Sequence, residues 1–438
     1  MPLLHALAET TRHADLAVRT GVVRELSGLV IEASGPDAVL GEVCSIAVRD
    51  QAAPLLAEVV GMRGGRVMLM PYGTSQGLAP GCEVTATGDV PTVAVGDGLL
   101  GRVVDGFGHA LDGRPDPITR THRPVKGKPL NPMHRPRITD VMETGVRTID
   151  ALLTLGKGQR VGIFAGSGVG KSTLLGMVAR HVRADVNVIA LIGERGREVR
   201  EFIDKQLGPD GLARSVVVVA TSDQPALARL RAARAAMAIA EHFRDEGRQV
   251  LLTMDSVTRF AMARREVGLS AGEPPTARGY TPSVFAELPE LCERCGTAAS
   301  GGSITALLTV LVEGDDLNEP VTDCLRATLD GHIVLSRQIA NQGQYPAIDV
   351  LKSVSRLMPD LVPPDVLAQA VKVVECLASL DRNRQLVDIG AYERGTNAAL
   401  DRALSIEPAL LAFLRQAEGG VARDSALQQL SALLKGTP

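Results

Sequence analysis

The chain has 438 residues, 45% of them hydrophobic and 22% charged, which is enough for two or three domains, each with its own core. Lys and Arg number 47 against 50 Asp and Glu, a net charge of −3; with 3% aromatic residues and no Trp, this argues against nucleic acid as the main partner. Apolar runs such as 304–312 stop well short of the ~20 residues of a membrane span, and the six Cys are scattered, as suits a reducing compartment.

Residues 1–20 predict a short amphipathic helix, with Leu3 and Leu7 one turn apart and no basic region of a signal peptide ahead of them. The segment reads either as a frayed terminus or as a docking element for a partner. From Gly21 to about Asp89 the pattern changes to short β-type runs at 28–33, 41–48, 55–60, 66–70 and 82–86, punctuated by Gly-Pro and Gly-Gly turns. That spacing predicts a small β-barrel with no catalytic constellation of its own. Between Gly96 and Arg137 the chain is dense in Gly and Pro, and reads as a connector packed along the next domain.

Residues 145–356 alternate strand and helix patterns, so a mostly parallel α/β sheet is expected, with strands at 160–164, 186–192, 215–220, 249–254, 304–312 and 333–335. A helix between the third and fourth of these is capped by Ser222 or Asp223, carries Pro225 in its first turn, buries Leu227, Leu230, Met237 and Phe243, and stops at Gly247. From about residue 363 the pattern is helical, with segments through 366–377, 398–404, 408–416 and 426–434 forming a bundle.

Ala165-Gly166-Ser167-Gly168-Val169-Gly170-Lys171-Ser172-Thr173, entered through an apolar strand and followed by a helix, has the makings of a phosphate-binding loop. Small residues let backbone N–H groups wrap an anion, the helix N-terminus adds its dipole, Lys171 reaches the terminal phosphates and Ser172 offers a hydroxyl to Mg²⁺. The pattern asks for Gly where Ala165 stands, and a dinucleotide fingerprint fits worse, because its spacing is absent. Ligands of an open parallel sheet gather at the carboxyl ends of strands. There the strand 249–254 delivers Asp255, a candidate Mg²⁺ organiser, and the strand 186–192 delivers Glu194, placed to orient water for in-line attack. The role of Glu198 is left open. Arg259 is a candidate cation within the same subunit. Arg356 lies too far along the chain to assign by spacing, but in a ring it would enter a neighbour's site as an arginine finger, worth roughly 10³ to 10⁵ in rate. Cys292 and Cys295 form a C-x-x-C without a credible zinc set or redox context, and are expected to be structural thiols.

The stretches 166–173, 193–202, 254–261, 272–275, 279–285, 312–316, 329–337 and 345–349 resemble those of the cytoplasmic ATPases of type III protein export. That family serves flagella and injectisomes and is similar to the catalytic subunits of rotary ATP synthases. The resemblance implies a RecA-like P-loop core between an N-terminal small β-barrel and a C-terminal helical domain, divided as 1–89, 90–360 and 361–438. It implies Mg²⁺-dependent ATP hydrolysis in a homohexameric ring with sites at subunit interfaces. Gly166, Ser167, Gly168, Val169, Gly170, Lys171, Ser172 and Thr173 would hold the phosphates, Ser172 and Asp255 the Mg²⁺, and Tyr345 would stack on adenine. Glu194 would act on water, Arg259 would contact the γ-phosphate, and Arg356 would be the finger in trans. Expected partners are a peripheral stalk protein at the N-terminal segment, a central coiled-coil stalk, and export chaperone–substrate complexes. The expected location is cytoplasmic, peripheral to the inner membrane at the export apparatus. A catalytic subunit of a rotary ATP synthase is the alternative, weakened because the acidic run of those subunits is missing from the helical domain. The stretch 316–323 leans toward an injectisome.

Overall fold

The computed structural model describes residues 18–49, 51–312, 314, 316–417 and 419–435. The predicted N-terminal helix falls outside them except for its last three residues, of which Thr20 opens a strand. The described residues up to Thr92, with Gln224–Leu230 and Met262–Ser283, cluster as one compact unit, and the rest form a second.

The first unit holds a closed barrel of β1 (Thr20–Ser27), β2 (Val30–Ser34), β3 (Val43–Ile46), β4 (Leu55–Arg63), β5 (Arg66–Pro71) and β6 (Glu83–Ala86), in the order β1-β2-β5-β4-β3-β6. All neighbours are antiparallel. Val23, Ile31, Ala33, Cys44, Ile46, Ala57, Val59, Leu69 and Val84 fill the interior. Five of the six strands coincide with the short β-type runs read from the sequence. In β1 only Gly21 and Val23 are buried, and a bulge between Val23 and Glu25 breaks the period, so the strand is invisible to pattern reading.

In the second unit β7 (Arg102–Val104), β8 (Arg160–Ala165), β9 (Val186–Glu194), β10 (Ser215–Thr221), β11 (Gln249–Asp255), β12 (Ser303–Leu311), β13 (Gly331–Leu335) and β14 (Ile348–Ser355) line up as β14-β13-β8-β12-β11-β9-β10-β7. From β13 to β7 every pairing is parallel, and β14 and the short strand Gly296–Thr297 join antiparallel. The six predicted strands are present, near-continuously buried as a sheet covered on both faces requires. Three others, β7, β14 and Gly296–Thr297, were not expected. The Gly- and Pro-rich connector is more than packing, because its β7 extends the sheet beside β10. Only three residues long, that strand has too few side chains to show a period.

The helix Ala226–Asp245 buries Leu227, Leu230, Met237 and Phe243 and ends before Gly247, whose φ is +86°. The connector's Gly106 approaches it so closely that a Cβ would stand 2.9 Å from the Ala232 backbone nitrogen. After β14 come the helices Pro364–Asp388, Ala398–Leu414 and Arg423–Lys435. The expected break before Pro408 does not occur. Leu400, Ala403, Ile406, Leu410, Phe413 and Leu414 form one buried stripe through it, and that burial outweighs the bond lost at the proline. Cys292 and Cys295 lie buried as free thiols, with Cys295 Sγ 3.9 Å from Met237 Sδ.

Candidate active site

Five parallel strands, β8, β9, β11, β12 and β13, end at the same edge of the sheet. The register sets Leu191 opposite Asp255, and Ala165 opposite both Leu311 and Leu335. The residues that follow β8, β9, β12 and β13, with Arg259 from the helix after β11, therefore line one cleft of about 780 Å³. Its floor is the loop after Ala165. Gly168 and Gly170 have φ of +78° and +86°, a region that costs an L-residue strain, and Gly170 is the residue from which the helix Lys171–His181 starts. A Cβ on Gly170 would also lie 3.2 Å from the ring of Tyr345, which stands against the loop and is 45% exposed.

Lys171 Nζ donates to Asp255 Oδ1 at 2.5 Å and lies 3.5 Å from Glu194 Oε1. The same Asp255 oxygen accepts from Thr309 Oγ1 at 2.7 Å, so the end of β12 fixes a carboxylate that β11 supplies. Asp255 is buried, and Lys171 and Glu194 are largely so. Burial works against the ammonium, but the charges of Asp255 and Glu194 outweigh it and raise the Lys171 pKa. Glu194 is pushed up to about 7, first by burial and then by the negative charge of Asp255, with Lys171 opposing and Glu198 adding to the rise. Glu198 is displaced the other way, chiefly because it hydrogen-bonds Glu194 and then because Arg195 donates to it at 2.9 Å. Glu194 and Glu198 thus titrate as a linked pair, a pairing on which the sequence was silent.

Gly166, Ser167, Gly168, Ser172, Thr173 and Arg259 also line the cleft, and the Arg259 side chain packs along Gly193, whose φ is +71°. Val169 is buried behind the loop. Arg356 is not brought to this site. Its Nη2 donates to the Arg326 carbonyl at 3.1 Å on an exposed stretch after β14. Arg337 does line the cleft and was missed, since a single Arg after a short strand carries no spacing signal.

Two carboxylates facing one ammonium, with Glu198 beside them, leave a surplus of negative charge next to the Ser172 hydroxyl. That donor set is of the hard-oxygen kind that suits Mg²⁺. The loop amides and Lys171 suit phosphate. The arrangement can therefore hold a magnesium-bound nucleoside triphosphate with a carboxylate near its terminal phosphate.

Residues 145–355 match the model of the ATP synthase alpha/beta family nucleotide-binding domain, 23–88 that family's beta-barrel domain, and 362–432 the T3SS EscN ATPase C-terminal domain. A flagellum-specific ATP synthase of Bacillus subtilis is 54% identical, covering 94% of each chain. The assembled ATPase EscN of the enteropathogenic E. coli type III secretion system superimposes with a TM-score of 0.90 at 42% identity, covering 94% of this chain and 100% of that one. EscN in complex with its central stalk EscO gives 0.87 at 41%, with the same coverage. The C-terminal match sets aside the rotary ATP synthase alternative. The chain belongs to the ATP synthase alpha/beta family and, within it, to the ATPases of flagellar and type III protein export.

Proposed function

We propose that ATP hydrolysis in the cleft beside Lys171 drives protein export from a homohexameric ring, with the catalytic work divided among the side chains gathered there. The observation that carries this is the Lys171–Asp255–Glu194 cluster at the mouth of the loop. The amides of Gly166, Ser167, Gly168, Val169 and Gly170, with Lys171 and Thr173, hold the β- and γ-phosphates. Ser172 and Asp255 bind Mg²⁺, which when present neutralises charge on the phosphate oxygens. Asp255 is ready for that task because Thr309 fixes one of its oxygens. Glu194 as carboxylate orients the attacking water and takes up its proton, which Glu198 helps retain. Arg259 meets the γ-phosphate from the same subunit, and Tyr345 stacks on adenine, a reading supported by its half-exposed ring beside Gly170.

Arg356 acts in trans. In support of a ring stand the assembled form of EscN and the exposure of Arg356 away from its own loop. The complex of EscN with EscO supports a central stalk partner for this chain too. A peripheral stalk protein at the N-terminal segment, export chaperone–substrate complexes at the helical domain, and a cytoplasmic position at the inner membrane complete the proposal. No helix among the described residues is long and apolar enough to cross a membrane. Domain limits at 89/90 and 360/361 belong to the same reading, supported by the barrel strand that ends at Ala86 and the helix that opens at Pro364.

The test is Glu194→Gln. It should abolish steady-state hydrolysis while nucleotide binding, followed by a fluorescent ATP analogue, stays within about threefold of wild type. Normal turnover by this variant would overturn the assignment.

A further inference from the structure

A second cavity, of about 440 Å³, adjoins the nucleotide cleft. The two share Gly166, Val312 and Arg337 as walls, so Gly166 of the phosphate loop stands with one cavity on either side. The floor of the second is apolar, formed by Phe164, Val334 and Leu335. Its rim carries three cations, Arg326, Arg337 and Lys352, against one carboxylate, Asp316. Among the described residues Lys352 has its partner in Asp349, outside the rim, at 3.3 Å, and Asp316 spends an oxygen on the Asn318 backbone N–H. Arg326 comes from the helix Pro320–Thr328 and Arg337 opens the short helix Arg337–Asn341, and neither guanidinium enters an ion pair with a described residue. Nearby, His332 is held below the usual imidazole pKa by burial first and then by Arg326 and Arg356.

Cations drawn from three separate elements around a pocket, two of them without an ion-pair partner among the described residues, mark an anion site. The anion must be small and must take its hydrogen bonds from the rim, because the apolar floor offers none. Continuity with the triphosphate cleft through Arg337 and Gly166 identifies its source. We propose that this side cavity holds inorganic phosphate, and that the phosphate released by hydrolysis passes into it beneath Arg337 while nucleoside diphosphate still fills the main cleft. The route rests on the hydrolytic reading above, whereas the site itself does not. Arg326 and Lys352 act here on the product alone and take no part in the bond-breaking step.

Equilibrium dialysis of radiolabelled inorganic phosphate against the full chain tests the site without requiring turnover. Wild type and Lys171→Ala should both bind phosphate, whereas Arg326→Gln/Lys352→Gln should bind it about tenfold more weakly, with Arg326→Lys restoring most of the affinity. Binding that vanishes in Lys171→Ala, or survives unchanged in the double variant, overturns the proposal. In a single-turnover reaction the double variant should cleave ATP at the wild-type rate, read by acid quench, and release phosphate severalfold more slowly, read by a phosphate sensor. Equal release rates, or a slowed cleavage step, would refute the route. A wild-type chain that binds phosphate yet never cleaves ATP would refute the hydrolytic reading and leave the site standing.

Discussion

The position of Glu194 makes a quantitative demand on the pH dependence of turnover. Burial and the neighbouring Asp255 raise its pKa to about 7, and in the proposed mechanism the carboxylate is the form that works on water. The sign follows directly. Below the raised pKa the group is neutral and inactive, so kcat/KM must climb with pH through neutrality. About one tenth of the molecules carry the carboxylate at pH 6 and about nine tenths at pH 8, which gives roughly a tenfold rise. Glu198 contributes to the raised value through its hydrogen bond and its charge. In Glu198→Gln both are weakened, the acid limb moves to lower pH, and the ratio between pH 8 and pH 6 falls well below tenfold. The assay is coupled phosphate release at saturating Mg²⁺ across pH 5.5 to 8.5 for both proteins. Because free nucleotide titrates in the same region, the difference between the two profiles is the decisive quantity. Superimposable profiles, or a wild-type limb at the ordinary glutamate value, would refute the account of the Glu194–Glu198 pair.

Other perturbations address separate parts of the molecule. Arg356→Ala should lower kcat by about 10³ or more, and doping it into wild-type protein should depress activity below simple dilution, measured as specific activity against mixing ratio; a linear mixing curve would exclude action across subunits. Tyr345→Ala removes the ring beside Gly170 and should raise the KM for ATP about three- to tenfold with little change in kcat. Leu69 is fully buried in the barrel, and Leu69→Ala should destabilise it by about 2–5 kcal/mol, seen as faster amide exchange at Ile31 and Val84 while exchange in β8 is unaffected.

The elements that the sequence announced are those whose local pattern and buried face coincide. The phosphate loop needs three glycines and a lysine in a row, and the strands ending in Asp255 and Glu194 are unbroken apolar runs, so these parts were legible before any fold was known. Contacts that depend on register were not. Nothing in the chain tells that Thr309 would reach Asp255 from the neighbouring strand, or that Arg337 would stand at the edge of the cleft. Glu198 was visible as a carboxylate four residues past Glu194, but the linkage of their titrations exists only once burial has raised one member. Arg356 stays apart from the loop within one chain, so its role has to be sought in assembly. Pro408 misled for the opposite reason: its local cost is real, and the buried stripe on either side overrides it.

The strand at residues Arg102–Val104 has a consequence for anyone excising the catalytic core. It hydrogen-bonds along Val216, Val217 and Val218 of β10, so the outer rim of the nucleotide-binding sheet is sealed by a segment lying before residue 145, where the match to the family's nucleotide-binding domain begins. A shortened protein starting there would expose a row of unsatisfied amides and carbonyls on a valine-rich border, an invitation to sticky edge-to-edge self-association. Retaining the chain from Val95 onward keeps that border sealed and is the safer cut.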